Sequence, residues 1–315
     1  MLKEVQQIID RYDRITIITY IKPDADTIAT ALGIYGVLKN LGKKVELVNP
    51  DRNPPVQLDF LPYYSKIKDQ INYDQSLIIS CAVENIDQLG FDLSQRDIIN
   101  IDYHMSNTHF GTLNLVDSDV VSLSQVVYEL FRNDQTITKD IATCLYTALV
   151  SDTQYFTIQN LSERVLDIAS EMISFGVDSR AVHYNLKQRQ SLASLRILTS
   201  TLRSLELHCA GRLAILNASR EKILEAGANL SDMAGIIEHA ISLATVEIAI
   251  LLIQIDDRFI RVSFRSKKID VLGLATHLGG AGDTNTSGFE RENTTMEHLK
   301  ILIKKEIKER GLLDA

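Results

Sequence analysis

Ile15-Thr16-Ile17-Ile18-Thr19-Tyr20-Ile21-Lys22-Pro23-Asp24-Ala25-Asp26 is the stretch that decides the fold. Residues 15–19 are a short β-branched run, the composition of a buried strand. A Pro-containing acidic loop follows, then an apolar helix over about 27–41 that Gly42 stops, and a second strand over 45–48. Strand, loop, helix, strand is a βαβ unit, and it implies a parallel sheet in an α/β protein.

Working outward, residues 2–12 have helical periodicity. Further strands are expected at 77–80, 98–101 and 113–116, and helices at about 122–131, 141–150 and 161–175. Residues 179–207 are charged, polar and helical with no strand signal, as a connector between domains would be. Beyond Arg212 the texture changes. A strand at 213–216, a helix over 229–243 and a hairpin of 246–254 with 259–263 across Asp256-Asp257 are expected. A glycine-rich loop at 278–283 and an amphipathic helix over 296–310 complete the chain. The expected division is a parallel-sheet domain over 1–185, a helical connector over 186–207 and a smaller α/β domain over 208–315.

The 315 residues exceed the usual size of one domain, and 45% hydrophobic residues suffice for two cores. Thirty-three basic against 41 acidic residues give a net charge of −8, which argues against a nonspecific grip on long duplex nucleic acid. Cys81, Cys144 and Cys209 are widely spaced and form no CxxC pair, so neither a zinc ribbon nor a redox motif is expected. The first residues lack the apolar core of a signal peptide, and no apolar run has membrane-spanning length. A cytoplasmic protein with reduced thiols and no membrane partner is the expectation.

Carboxylates gather where strands of the first domain end, and the loops after parallel strands form the ligand crevice. Asp24 and Asp26 follow the first strand, Asp102 and His104 the fourth, Asp117 and Asp119 the fifth, and Asp152 follows a helix. Such a cluster repels itself unless a cation neutralises it, and hard oxygen ligands favour Mg²⁺ or Mn²⁺. Two such ions would suit phosphoester hydrolysis. Taken singly, each residue has a plainer reading. Asp24 and Asp26 also serve as turn and N-cap residues, Asp117 and Asp119 read first as turn residues, and a lone His104 would be structural.

The joint placement resembles a known pattern. Tyr20-Ile21-Lys22-Pro23-Asp24-Ala25-Asp26 is similar to the first motif, HxxPDxD, of the DHH/DHHA1 phosphoesterases. Asn100-Ile101-Asp102-Tyr103-His104-Met105-Ser106-Asn107 resembles their signature NIDHHxSN. Asn114-Leu115-Val116-Asp117 and Ser122-Leu123-Ser124 echo the strand and serine-rich helix that follow, and Asp152-Thr153-Gln154-Tyr155-Phe156 resembles DTGxF. In the second domain, Ser263-Phe264-Arg265-Ser266 and Gly279-Gly280-Ala281-Gly282-Asp283 through Gly288-Phe289 resemble SxRS and GGGH…AGF. The layout is most similar to the bacterial nanoRNase type. That resemblance implies cleavage of short oligoribonucleotides, or dephosphorylation of 3′-phosphoadenosine-5′-phosphate, at a Mn²⁺-dependent site.

The departures from this pattern fall on the chemistry. Tyr20 stands where the family has a metal-binding histidine. Cys81 (or, one register off, Ser80) stands for the bridging aspartate, Tyr103 for the first histidine of DHH, Asp283 for the histidine of GGGH and Gln154 for the glycine of DTG. What the resemblance leaves is Asp24, Asp26 and Asp152 as metal ligands, Asp102 to orient, and His104 to meet the substrate phosphate. Arg265, Ser266, Gly279, Gly280, Gly282 and Asp283 remain for substrate binding. A neutral thiol cannot bridge two hard cations, a tyrosine ionises only near pH 10, and an aspartate repels phosphate.

The favoured expectation is therefore a crippled dinuclear centre in a protein that binds a nucleotide or short oligonucleotide in its interdomain cleft with little or no hydrolysis. Lys22, His104, Arg265 and a glycine loop able to approach a phosphate motivate the binding. The alternative is an active phosphoesterase holding one Mn²⁺ or Mg²⁺ on Asp24, Asp26 and Asp152. Any cofactor is one of those two ions, and the replacements leave room for none. Behind these stand an interaction module, a homodimer through its helices, and a cysteine nucleophile at Cys81 with His104 as base.

Overall fold

A computed structural model of the chain describes residues 2–21, 23–51, 55–132, 136–158 and 160–313. It divides into two compact units, Met1–Arg189 and Gln190–Ala315.

The first unit runs α1 (Leu2–Arg11), β1 (Arg14–Thr19), α2 (Ala25–Asn40), β2 (Lys44–Val48), β3 (Ile67–Lys68), β4 (Leu77–Cys81), β5 (Ile98–Asp102) and β6 (Leu113–Val116). Then come α3 (Leu123–Phe131), α4 (Lys139–Asp152), α5 (Glu163–Ser174) and α6 (Ser179–Gln188). All six strands are parallel, in the order β3-β2-β1-β4-β5-β6. The β-branched run of β1 pairs on one side with β2, Ile17 opposite Leu47, and on the other with β4, Ile17 opposite Ile79. The strand order reverses between β1 and β4, and in open parallel sheets such a switch point opens a ligand crevice beyond the carboxyl ends of the strands. Thr19 and Cys81 end those two strands and face each other in register.

Helix α2 is buried from Asp26 through Leu38. A helix apolar on all sides belongs inside a fold rather than on its surface. It packs closely on α4: a Cβ on Gly33 would lie 2.6 Å from Leu145, and one on Gly36 2.6 Å from Ile141. The main core gathers Ile15, Ile17, Leu32, Ile79, Ile99, Leu145 and Phe131, and a smaller cluster on Ile18, Val48, Ile78 and Leu89 covers the opposite face.

The second unit runs α7 (Leu192–Leu202), β7 (Glu206–His208), β8 (Leu213–Ala218), α8 (Arg220–Glu225), α9 (Ile236–Ile241), β9 (Ile248–Gln254), β10 (Phe259–Ser266), α10 (Leu272–His277), β11 (Ala281–Gly282), β12 (Thr286–Glu292) and α11 (Met296–Glu309). Its six-stranded sheet has the order β11-β12-β10-β9-β8-β7, with β8 and β9 parallel and the other neighbours antiparallel. One face packs on Leu274, Leu299 and Ile303, the other on Ile197, Ile223 and Ile237.

Several expectations need correction here. The helix expected over 229–243 is two pieces, a 3₁₀ turn at Leu230–Met233 and α9, because Gly235 takes a left-handed φ of 79° between them. The segment read as free of strands contains β7, paired antiparallel with β8. Strands β3 and β12 and helices α8 and α10 lie outside the sequence expectations. Among the described residues no helix is long and apolar enough to cross a membrane.

Candidate active site

Three carboxylates converge beside the switch point. Asp24 caps α2, its side chain accepting the Thr27 N–H at 2.8 Å. Asp26, in the first turn of the helix, is fully buried and accepts from the Ser122 hydroxyl at 2.6 Å, the Leu123 N–H at 3.1 Å and the Thr30 hydroxyl at 3.4 Å. Asp152 ends α4 and accepts from the Tyr103 hydroxyl at 3.1 Å. Asp26 and Asp152 are neighbours, and each acts on the titration of the other. Burial first, then the neighbouring carboxylates, push both groups above the usual carboxylate range. The structure thus brings together Asp24, Asp26 and Asp152. Asp117 and Asp119 stay outside: both are exposed, and the Asp117 carboxylate accepts the Asp119 N–H at 3.1 Å in a turn.

The replaced positions line the same place. The Tyr20 hydroxyl accepts the Asp24 N–H at 3.2 Å, and its pKa is pushed up to about 12 by burial and then by the Asp24 charge. Tyr103 is pushed up by burial and then by Asp26, Asp152 and Asp24. Cys81 is wholly buried, its thiol pushed up by burial and then by Asp26 and Asp102. Ser80 points the other way and donates to Asn100 Oδ1 at 2.9 Å, so Cys81 is the β4 residue that faces the carboxylates. At neutral pH the two phenols and the thiol are uncharged. A pair of hard divalent cations needs anionic oxygen donors. Here both Asp26 oxygens and one oxygen each of Asp24 and Asp152 are met by protein donors, and the thiol and two phenols at the remaining positions are neutral. Among the described residues no group of three or more His, Cys, Asp and Glu is arranged to hold a metal ion.

The second part of the site is built around Asp102, the buried last residue of β5. His104 Nδ1 lies 2.6 Å from Asp102 Oδ1, and the Asn107 amide donates both to Asp102 Oδ2 and, at 3.0 Å, to the Val83 carbonyl. The hydrogen bond to Asp102 raises the His104 pKa above its ordinary value against the opposing effect of burial, and Glu84 and Asp24 add to the rise. With Nδ1 held by a carboxylate, Nε2 is left for a ligand. The Tyr103 ring stacks on the imidazole at 4.7 Å and 25°. Glu84, which sequence reasoning missed, accepts from the Ser106 hydroxyl and faces His104. Ser122, quoted only as part of a serine-rich helix, caps α3 and holds Asp26.

In the second unit the expected substrate-binding residues are engaged within the chain. Arg265 Nε donates to Glu238 at 2.9 Å and its Nη1 to the Phe264 carbonyl at 3.0 Å, and the Ser266 hydroxyl donates to the Ile269 carbonyl. The N–H groups of Gly279, Gly280 and Asp283 donate to the carbonyls of Thr276, Ala275 and Thr286 at 3.0, 2.8 and 2.6 Å. A Cβ on Gly280 would meet the Gly288 carbonyl oxygen at 2.0 Å. Close packing on β12 therefore accounts for the glycine at 280. Lys22 lies outside the described residues.

The raised carboxyl pKa values have a thermodynamic consequence. A group whose folded pKa is raised adds stability that is complete below its unfolded pKa, about 4 for a carboxyl, and that is lost as pH rises toward the folded value. In EDTA, the wild type is expected to gain stability relative to Asp152→Asn as pH falls from 8 to 5, by up to about 1.4 kcal/mol per pH unit. Urea denaturation across that range reads it. A difference that stays flat would mean the two carboxylates are separate and ionised.

Residues 14–149 match the model of the DHH family, N-terminal domain. The bifunctional oligoribonuclease and PAP phosphatase NrnA of Thermus thermophilus is 28% identical over 279 residues, covering 87% of this chain and 83% of its own. Its Bacillus subtilis namesake is 24% identical over 300 residues, covering 91% and 92%. An exopolyphosphatase-related protein from Bacteroides fragilis has the same fold, with a TM-score of 0.87 at 23% identity and coverage of 98% and 96%.

Proposed function

We propose that this chain, whose residues 14–149 match the DHH family N-terminal domain and whose relatives include the NrnA proteins, binds a nucleotide or short oligoribonucleotide with little or no hydrolysis. The ligand class follows the relatives named as oligoribonucleases and PAP phosphatases. The loss of hydrolysis rests on one observation. Neutral Cys81 and Tyr103 stand beside Asp26 and Asp152, where the family pattern has a bridging aspartate and a histidine. Metal-assisted phosphoester cleavage needs cations to generate hydroxide and to stabilise the charged transition state. With a neutral thiol at 81 and a neutral phenol at 103, only the carboxyls of Asp24, Asp26 and Asp152 are left to hold them, too few for a pair of cations. The Asp102–His104–Asn107 arrangement is intact, and it offers an imidazole N–H, cationic when protonated, to a phosphate.

Calorimetric titration of the freshly purified protein with Mn²⁺, then with 3′-phosphoadenosine-5′-phosphate or a diribonucleotide, tests this. Nucleotide binding without stoichiometric Mn²⁺ uptake, and no released phosphate or mononucleotide, is the expected result. Two ions per chain with product release would overturn it in favour of an active phosphoesterase. Binding of neither would point to a protein-interaction role.

A further inference from the structure

We propose that Met105 is the residue by which this site distinguishes a nucleoside phosphate from a bare polyphosphate, its thioether packing on the nucleobase of a ligand whose phosphate sits at His104. The inference rests on the nucleotide reading above and names its specificity contact.

Met105 is 92% exposed, so its side chain gains almost nothing from burial in the free protein. Single exposed apolar residues are ordinary on protein surfaces. This one differs in how it is held. The residues on both sides of it are pinned: His104 to Asp102, Ser106 to Glu84, Asn107 to Asp102 and the Val83 carbonyl, and Thr108 through both its N–H and its hydroxyl to the Glu84 carbonyl. The backbone that carries this unbranched apolar side chain is therefore held on both sides, one residue along the chain from the imidazole whose Nδ1 is engaged by Asp102. In the loop after β1, Ile21 is about half exposed (49%) directly after Tyr20.

The chemistry of the side chain sets what it can recognise. A thioether donates no hydrogen bond and carries no charge, so it adds nothing to the binding of phosphate oxygens. It is polarisable and adapts to the face of an aromatic ring, a contact whose strength corresponds to roughly a two- to tenfold change in affinity. A ligand with a base gains from Met105, and one made only of phosphates does not.

The test titrates wild type, Met105→Ser and Met105→Leu with 3′-phosphoadenosine-5′-phosphate and, separately, with inorganic tripolyphosphate. High exposure of the position keeps both variants folded, which a thermal melt verifies. The expected result is about two- to tenfold weaker nucleotide binding by Met105→Ser, near wild-type binding by Met105→Leu, and no change for tripolyphosphate. Equal loss for both ligands would make the effect one of loop geometry, and unchanged nucleotide binding would show that the base lies elsewhere; either overturns the proposal. If wild type binds no nucleotide at all, the functional reading itself falls and takes this inference with it.

Discussion

Cys81→Asp is expected to destabilise the metal-free protein by about 3–5 kcal/mol and to make its stability depend on added Mn²⁺. Cys81 has no exposure and sits at the end of β4 within reach of the Asp26 and Asp102 charges. An aspartate there joins a place that already holds Asp26, Asp152 and Asp24, and no cationic side chain is among the groups shifting the pKa values of Asp26, Asp152 or Cys81. The new carboxyl must either ionise without a partner or hold a proton well above its ordinary pKa, and both routes cost stability. A divalent cation removes that cost by giving the introduced carboxylate and its neighbours a common counter-charge; at a hundredfold excess over its dissociation constant, it returns about 2.7 kcal/mol. Cys81→Ser, which adds no charge, serves as the control. Urea midpoints in EDTA and in Mn²⁺ read the effect. A Cys81→Asp protein as stable as wild type in EDTA, and indifferent to Mn²⁺, would mean that residue 81 does not face the carboxylates.

The glycines of the second unit give the other large effect. Gly280→Ala is expected to cost about 1–3 kcal/mol, the range for forcing atoms into a packed region. Here the obstacles are the Gly288 carbonyl oxygen at 2.0 Å and Phe289 Cβ at 2.6 Å, on a strand held in the sheet by β10. Gly279 has open space around it and a φ of +81°. Gly279→Ala should cost only the backbone penalty, about 1–2 kcal/mol. Denaturation of the two variants separates packing from conformation. If Gly280→Ala proved the milder change, the close approach of the loop to β12 could not be what the glycine serves.

The parallel sheet was legible because β1 and β4 are uninterrupted β-branched and aliphatic runs, and because the glycine and the strand after α2 mark a βαβ unit. The convergence of Asp24, Asp26 and Asp152 was legible from the motifs, since each lies at a helix or strand end. What the sequence concealed depends on contacts between distant residues. β3 is two residues long and β7 three, too short to show alternation. The break at Gly235 needs a backbone angle, and a glycine inside a helical pattern does not announce one. The contact of Tyr103 with Asp152 joins positions 49 apart, and the hold of Ser122 on Asp26 joins positions 96 apart. Asn107 and Glu84 were hidden for the same reason: their partners come from the loops after β4 and β5.

The margins of the two sheets bear on how copies of this chain can associate. The first sheet is bordered by two-residue β3 and four-residue β6, the second by two-residue β11 and three-residue β7. An unpaired strand edge is a template on which another chain can add a strand, and long flat edges invite polymerisation. These bordering strands are short, and each offers only a few backbone groups of its own. Concentrated protein should therefore resist fibril formation, and any specific pairing of two copies would have to be made by helix faces rather than by joining sheets.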